Sequence, residues 1–206
     1  MSGKSKERNP DVQSERREAI IHAAWQVVAD GGLSALTIRS IASKIGFTTG
    51  IVMHHFVTKE EILEEMISRL YDGLREVYLG RRDLKADPRK QMEQMLLSCL
   101  PLTPATAFGW RLSVILQGEA LRSPAISQLH QKYYKRFGQD LHEGLLILQA
   151  ENLLPKDADL ALTAARLTAL IDGIGTNHAL RPRSMPAKLQ RQILLSELDQ
   201  LFVGSN

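Results

Sequence analysis

The chain has 206 residues, of which 44% are hydrophobic, 24% are charged and 5% are aromatic, and its formal net charge at pH 7 is +3. The length is enough for one large or two small domains with a hydrophobic core, and the scarcity of aromatics favours helices over a β-sandwich. A net charge this small predicts no partner by itself, so binding to nucleic acid would depend on a local patch.

The beginning of the chain, residues 1–13, is polar. It has no apolar core of the kind found in a signal peptide, and we expect a solvated arm. No stretch reaches the roughly 18 apolar residues of a membrane span. Cys99 is the only cysteine, which rules out an intrachain disulfide, and its apolar surroundings predict a buried, inert thiol. These features predict a cytoplasmic protein.

Helical periodicity and capping signals organise the next part of the sequence. The predicted helices run from Ser14 to Gly31, from Thr37 to Gly46, from Thr48 to Phe56 and onward from Thr58. Thr37 has the side chain of a helix N-cap. Thr58 and Glu61 have the spacing of a capping box, so they mark the start of a new helix. The second and third helices are therefore very short.

Longer helices with proline near their starts are expected further along the chain. Asp87 and Ser123 have the character of N-caps, since each is followed by a proline that suits the first turn of a helix. The predicted helices begin near residues 87, 103, 123, 157 and 186. The prediction is an all-α protein of about nine helices, divided into the arm, a head at 14–74 and a body at 75–206.

The two short helices are joined by a tight turn that contains Gly46, which is typical of a helix-turn-helix. On a helical wheel of residues 48–56, the outward residues are Thr49, Gly50, Met53 and His54, whereas Ile51, Val52 and Phe56 face inward and His55 lies at the edge. The outward set contains no acidic residue. It is therefore suited to contact with a polyanion and with base edges.

Flanking residues extend this predicted DNA-binding surface. Thr37 and Thr48 lie at helix starts, where free N–H groups favour a phosphate. Arg39 points outward, and Lys59 opens the fourth helix, where its charge opposes the helix dipole and indicates an outside anion. Both basic side chains could also be ordinary solvated charges. A metal at the histidine pair is disfavoured, because adjacent helical residues diverge and no cysteine or acid lies nearby.

The segment "LTIRSIASKIGFTTGIVMHHFVTKEEIL", preceded by "AAWQVVADGG", resembles the TetR family of bacterial transcriptional regulators over about residues 14–74. The resemblance implies a homodimer, a palindromic double-stranded DNA operator and a small-molecule inducer bound in the body. The family usually has tyrosine at the position of Met53, where it touches the DNA backbone. Methionine cannot donate that hydrogen bond, so the contact is lost or is replaced by His54 or His55. "ALIDGIGTNHAL" and "SPAISQL" also resemble the choline-responsive repressor branch, although they do not identify a ligand.

Aromatic residues of the body concentrate in "FGWRL" and "HQKYYKRF". The predicted effector pocket is lined by Trp110 and Phe137, with a hydroxyl from Tyr133 or Tyr134 and an amide from Gln117. The expected effector is a mostly apolar small molecule, although the same aromatics could form ordinary core. The acid of "LTALIDGIG", residue 172, would favour a cation if it faced the pocket, but the sequence favours a hydrogen-bonded structural acid.

The last two helices are the predicted dimer interface, because they are continuously apolar and contain Ala161, Ala165 and Gly175. Alternatively, these faces close the core of the monomer. The sequence thus predicts a dimeric, ligand-responsive DNA-binding repressor without metal or cofactor. An enzyme is disfavoured because no paired carboxylates, metal cluster or glycine-rich phosphate loop is visible. A DNA-binding protein whose body serves only dimerisation is the remaining alternative.

Overall fold

The computed structural model describes residues 10–80 and 87–202, and these residues form nine α-helices and no strand. The helices are α1 (Pro10–Gly31), α2 (Ile38–Ile45), α3 (Thr49–His55), α4 (Lys59–Gly80), α5 (Pro88–Ser98), α6 (Pro104–Ala120), α7 (Pro124–Ala150), α8 (Leu160–Leu180) and α9 (Ala187–Leu201). A short 3₁₀ turn, Leu33–Ala35, follows α1. The predicted all-α class and helix count are confirmed.

The first helix begins four residues before the predicted start at Ser14. Pro10 suits the first turn of a helix because its missing N–H would have no intrahelical acceptor there. Residues 10–13 therefore belong to α1 and not to a polar arm, and residues 1–9 lie outside the described residues. Gly32 follows α1 with a φ of 71° and a ψ of −178°, a backbone conformation that is essentially restricted to glycine.

The predicted caps of α2 and α4 are present. Thr37 Oγ1 accepts a hydrogen bond from Ser40 N, and Ser40 Oγ accepts one from Thr37 N, each at 3.0 Å. Thr58 Oγ1 accepts from Glu61 N at 3.1 Å. The reciprocal bond of this second box differs from expectation, because the Glu61 carboxylate accepts from Val57 N at 2.7 Å.

Contacts divide the chain into two compact units, one ending at Ile67 and the other beginning at Ser68. The helix α4 is continuous across this division, so it contributes to both units. Fully buried side chains form the core of the first unit: Ile20, Leu36, Ile41, Val52, Phe56 and Ile62. They come from α1, α3, α4 and the region around α2, which together hold the short helices in place.

The second unit is built around α8, which packs against α6, α7 and α9. Its core includes Leu96, Leu141, Leu167 and Leu194, each fully or almost fully buried. Gly175 of α8 is buried rather than available to a partner, because a Cβ there would lie 2.3–2.4 Å from atoms of the Trp110 ring. Its inclusion among the small residues of a dimer interface is therefore wrong.

No helix among the described residues is long and apolar enough to cross a membrane.

Candidate DNA-binding and effector sites

The outward face of α3 follows the predicted wheel. Thr49, Gly50 and His54 are exposed, and the Met53 side chain is 55% exposed. On the opposite side Val52 and the adjoining Phe56 are completely buried. The small and polar side chains of α3 are thus exposed to solvent, because Val52 and Phe56 pack in the core.

Basic residues dominate the charge around this face. Residues 31–59 contain Arg39, Lys44 and Lys59 but no aspartate or glutamate. Lys44 is paired with Asp30 of α1 at 3.0 Å. Arg39 is exposed and forms no ion pair with any residue that the structure describes, so its guanidinium is available to an external anion.

The starts of α2 and α3 are exposed at Thr37 and Thr48. Both hydroxyls cap their own helices, since Thr48 Oγ1 also accepts from Ile51 N at 3.4 Å. The positive end of each helix dipole is directed to solvent there, which is an environment that attracts a phosphate.

Two residues of the predicted DNA-binding surface have internal partners or surroundings that the sequence did not reveal. Lys59 is half-buried, and its Nζ donates to the carbonyl oxygen of Leu33 at 3.3 Å. A carbonyl oxygen thus compensates part of the charge of this lysine, and the predicted contact to an outside anion stays a prediction. The contact joins the start of α4 to the 3₁₀ turn.

His55 is also turned partly inward. Its Nε2 is buried without a hydrogen-bond partner in the described structure. Burial, followed by the positive charges of His54, Arg16 and Arg17, lowers the pKa of His55. A neutral, half-buried imidazole is poorly placed to contact DNA, so the structure does not support the predicted contact at His55.

The second unit contains a small cavity of about 80 Å³ between α4, the end of α5, α6, α7 and α8. Its wall includes Tyr71, Trp110, Tyr133, Tyr134, Phe137 and Asp172. The volume exceeds the roughly 10–15 Å³ that one water requires, so it can admit a small molecule. The structure thus brings the four predicted aromatic residues to one cavity.

Two tyrosine hydroxyls of this cavity are hydrogen-bonded within the protein. Tyr71 Oη lies 2.7 Å from His130 Nδ1, and Tyr133 Oη donates to Ser68 Oγ at 2.7 Å. Burial, followed by the neighbouring Asp172 carboxylate, raises the pKa of Tyr134. Burial raises the pKa of Tyr71 to about 12, so this phenol stays neutral. The predicted hydroxyl contact from Tyr133 or Tyr134 to an effector stays a prediction, and the aromatic rings form most of the surface offered to a ligand.

Trp110 and Gln117 of α6 differ in position. Trp110 is 8% exposed, lines the cavity and donates from Nε1 to the carbonyl oxygen of Cys99 at 2.8 Å. Gln117 does not line the cavity, because it lies about two turns further along α6, where its amide donates to Ser113 Oγ at 3.3 Å. The structure therefore does not support the predicted amide contact, and the polar side chain of α6 on the cavity wall is the buried Ser113.

Asp172 is a cavity residue and not merely a structural acid. It is half-buried and lines the cavity beside Tyr134. Burial raises the pKa of Asp172, and the neighbouring Tyr134 hydroxyl opposes that rise. The structure thus places Asp172 on the cavity wall, whereas the sequence favoured a hydrogen-bonded structural acid.

The other charges on the cavity wall are balanced by neighbours. Arg75 forms two hydrogen bonds to the carboxylate of Asp140, at 3.0 and 3.1 Å. Arg136 lies 3.8 Å from Asp72. Asp172, in contrast, forms no ion pair with any residue of 10–80 or 87–202. It is the charge on this wall that a bound cation would neutralise.

Cys99 has the predicted character of an inert thiol. Burial raises its pKa to about 12, and its Sγ lies 3.4 Å from the carbonyl oxygen of Met95. Thiolate chemistry is therefore suppressed near neutral pH. The described residues also contain no cluster of three or more histidine, cysteine or acidic side chains that could hold a metal.

Tyr71 is the main cavity residue that sequence reasoning missed. It follows Leu70 in α4 and lies three residues before Leu74, so it borders the apolar stripe of this helix. That spacing could have indicated a residue facing the body. Its ring is stacked on Tyr133, with centroids 4.7 Å apart and an interplanar angle of 12°.

Two family models match the chain. Residues 20–66 match the family described as bacterial regulatory proteins of the tetR family, and residues 88–203 match the C-terminal domain of BetI-type transcriptional repressors. The transcriptional regulator BetI of Rhizobium meliloti (strain 1021) is 28% identical over 189 residues, which cover 90% of this chain and 88% of the relative.

Solved structures with the same fold support this relationship. A transcriptional regulator from Saccharomonospora viridis, crystallised in complex with choline, is 26% identical with a TM-score of 0.84, covering 92% of this chain and 98% of that chain. A regulator from Rhodococcus sp. Rha1 has a TM-score of 0.79 at 23% identity, covering 90% of this chain and 95% of that chain. The second similarity concerns the fold alone.

Proposed function

Because the chain belongs to the TetR family of bacterial transcriptional regulators and carries a BetI-type repressor domain, we propose that it is a dimeric repressor released from its operator by a small quaternary ammonium compound of the choline class. The family consists of transcriptional regulators and not of enzymes. A regulator of chromosomal DNA acts in the cytoplasm.

The single observation that carries the effector class is a cavity walled by aromatic rings that also contains an uncompensated carboxylate. A cation over an aromatic face gains about 0.5–2 kcal/mol, depending on its desolvation. A cation near Asp172 would also favour the ionised carboxylate, which burial alone disfavours. The sequence predicted a mostly apolar effector. These two attractions favour a cationic effector instead.

Full methylation of the cation suits this wall better than a primary ammonium group. An NH₃⁺ group needs three hydrogen-bond acceptors. The hydroxyls of Tyr71 and Tyr133 already hold protein partners, so an NH₃⁺ group would have to share their oxygens. A quaternary ammonium needs no acceptors and presents methyl groups to the rings. The choline complex of the Saccharomonospora viridis regulator supports this class.

The proposed DNA-binding surface is the outward face of α2 and α3. Arg39, Thr49, Gly50, Met53 and His54 would meet the major groove, and Thr37, Thr48 and Lys59 would hold phosphates. The absence of acids from residues 31–59 supports this assignment. The lysine would exchange or share its carbonyl contact when DNA is bound.

We assign DNA binding to the head at 14–74 and effector binding and dimerisation to the body at 75–206, with Tyr71 and Leu74 at the end of the head completing the cavity wall. The proposed dimer interface lies on α8 and α9. Its support is the exposed apolar and small side chains of α8, which include Ala161, Leu162 and Ala165. The alternative function, in which the body serves only dimerisation, gives no role to the cavity.

Calorimetric titration with choline and with its neutral isostere 3,3-dimethylbutan-1-ol tests the effector class. The two molecules have nearly the same shape, so a preference for choline of about tenfold or more measures the response to charge. Asp172→Asn should remove most of this preference, whereas Asp157→Asn, an exposed acid outside the cavity, should preserve it.

Equal affinity for the charged and neutral molecules would reject the cationic effector. If no quaternary ammonium compound bound and none raised the melting temperature, the alternative of a DNA-binding protein without an effector would be favoured.

A further inference from the structure

One arginine of α1 links three elements of the first unit. Arg17 Nη1 donates to the carbonyl oxygen of His55 at 3.0 Å. Its Nη2 and Nε donate to the carboxylate of Glu65 at 3.1 and 3.5 Å. The guanidinium carbon lies 4.1 Å from the centroid of the Phe56 ring. A single planar group thus connects α1, the end of α3 and α4.

The end of α3 has particular need of such a contact. The last carbonyl groups of a helix have no intrahelical donor, and α3 has only seven residues. A helix this short is unstable by itself, so tertiary contacts determine its orientation. The guanidinium of Arg17 supplies a donor and a positive charge to its C-terminal end, where both are favourable.

Arg17 is itself held in place from two directions. Glu65 fixes the orientation of the guanidinium by accepting two of its N–H groups, and Phe56, which is fully buried, supports its face. The geometry requires the planar fork of arginine, because a lysine ammonium is a point charge that cannot make these contacts together. The outward residues Met53 and His54 immediately precede the residue whose carbonyl is held.

We propose that Arg17 is a positioning residue for sequence-specific DNA binding: it fixes the angle of α3 on the head without itself contacting the DNA. The proposal rests on the proposed role of α3 in reading DNA. It differs from a direct phosphate contact, which would require the Arg17 charge but not its fork-shaped hydrogen bonding. It also differs from a purely structural role, which would lower stability without changing the preference for the operator.

The test compares Arg17→Lys and Arg17→Gln with Arg16→Gln, a matched control that removes the same charge from an exposed neighbour. Affinity is measured for the operator and for random duplex over a series of salt concentrations. Both Arg17 variants should lose about tenfold or more in operator affinity, with random-duplex affinity and salt slope nearly unchanged. Arg16→Gln should keep the ratio of operator to random affinity.

Two further variants separate positioning from stability. Glu65→Gln keeps Arg17 but weakens its support, so it should lower the same ratio by a smaller factor. Ile62→Val thins the core of the same unit and should lower thermal stability while leaving the ratio unchanged. Circular dichroism and gel filtration establish whether each variant is folded. If Arg17→Gln is unfolded, the ratios of operator to random affinity in Glu65→Gln and Arg17→Lys test the proposal instead.

Full operator affinity in Arg17→Lys would overturn the proposal, because charge alone would then suffice. An equal loss on both duplexes in Arg17→Gln, with a salt slope smaller by about 1, would overturn it in favour of a phosphate contact. A wild-type protein that showed no preference for any duplex would instead contradict the proposed function, so the two failures are distinguishable.

Discussion

Trp110 is the residue on which the cavity wall most depends. It is fixed by its hydrogen bond to the carbonyl of Cys99 and by the backbone of α8 at Gly175, where no side chain intervenes. The indole therefore reaches the cavity in a defined orientation. Because Gly175 and Trp110 belong to different helices, their fit can be tested separately from any ligand.

We predict that Gly175→Ala destabilises the protein by about 1–3 kcal/mol, because the added Cβ would lie 2.3–2.4 Å from ring atoms of Trp110. Gly173→Ala on the same helix meets nothing within 4 Å and should be neutral or stabilising by up to about 1 kcal/mol. Urea unfolding of the two variants measures the difference. Similar stabilities would show that the contact between α8 and Trp110 is misplaced.

A second prediction concerns Met53. Its side chain is 55% exposed, so Met53→Tyr does not disturb the core. The new hydroxyl would restore a hydrogen-bond donor at the position where the family has tyrosine, and affinity for the operator should rise by about threefold to tenfold. Met53→Phe is the control, because it adds the ring without the hydroxyl. An equal effect of both substitutions would contradict a hydrogen bond to the DNA backbone.

The pH dependence of stability follows from two histidines. Burial lowers the pKa of both His55 and His130. It is the largest of several causes at His55 and the cause given by the structure at His130. In the unfolded chain a histidine titrates near pH 6.5, so the unfolded state takes up protons first as the pH falls. The stability contributed by the neutral histidines is therefore complete above about pH 6.5 and is lost as the pH falls through the lower folded values.

We predict a melting temperature that decreases from pH 7.5 to pH 5 and a smaller decrease in His55→Asn and His130→Asn. Asp172 acts in the opposite sense, because its raised pKa favours proton uptake by the folded state at low pH. Comparison of each variant with wild type at every pH separates the histidine contribution from that of the acids. Parallel curves for wild type and both variants would show that neither histidine is responsible.

Among the elements, α2 offers the clearest test of a cap. Thr37→Ala should destabilise the protein by about 0.5–2 kcal/mol, because it leaves the Ser40 N–H without its acceptor. Thr37→Ser keeps the hydroxyl and should retain most of the stability. Chemical denaturation measures both, and operator binding of the serine variant should stay near the wild-type value. Equal destabilisation by alanine and serine would contradict the capping role.

Features that depend on residues close in sequence could be predicted, whereas features that depend on residues distant in sequence could not. The caps at Thr37 and Ser123 and the wheel of α3 involve neighbours within one or two turns, so they could be predicted. The partner of Lys59 lies 26 residues earlier in the chain, and that of Tyr133 lies 65 residues earlier. Such partners depend on how helices pack, and the periodicity of one helix does not determine them.

At the scale of the whole molecule, the dimer makes a distinguishing prediction for α8. Leu162 is 58% exposed, whereas Leu167, five residues further along the helix and on a different face, is completely buried. Leu162→Glu should yield a folded monomer, because it places a charge in the proposed interface. Leu167→Glu should unfold the protein. Light-scattering mass and circular dichroism separate the outcomes, and a folded dimer of Leu162→Glu would move the interface elsewhere.

The central claim is that an effector held by the aromatic cavity lowers affinity for DNA. Its most direct test is fluorescence anisotropy of a palindromic duplex, recovered by selection from random sequence, titrated with protein at increasing choline concentration. A coupling free energy of about 1–3 kcal/mol predicts that saturating choline weakens operator binding by about 5- to 150-fold in the wild type and far less in Asp172→Asn. An operator affinity that is unchanged at choline concentrations that saturate the protein would contradict the account.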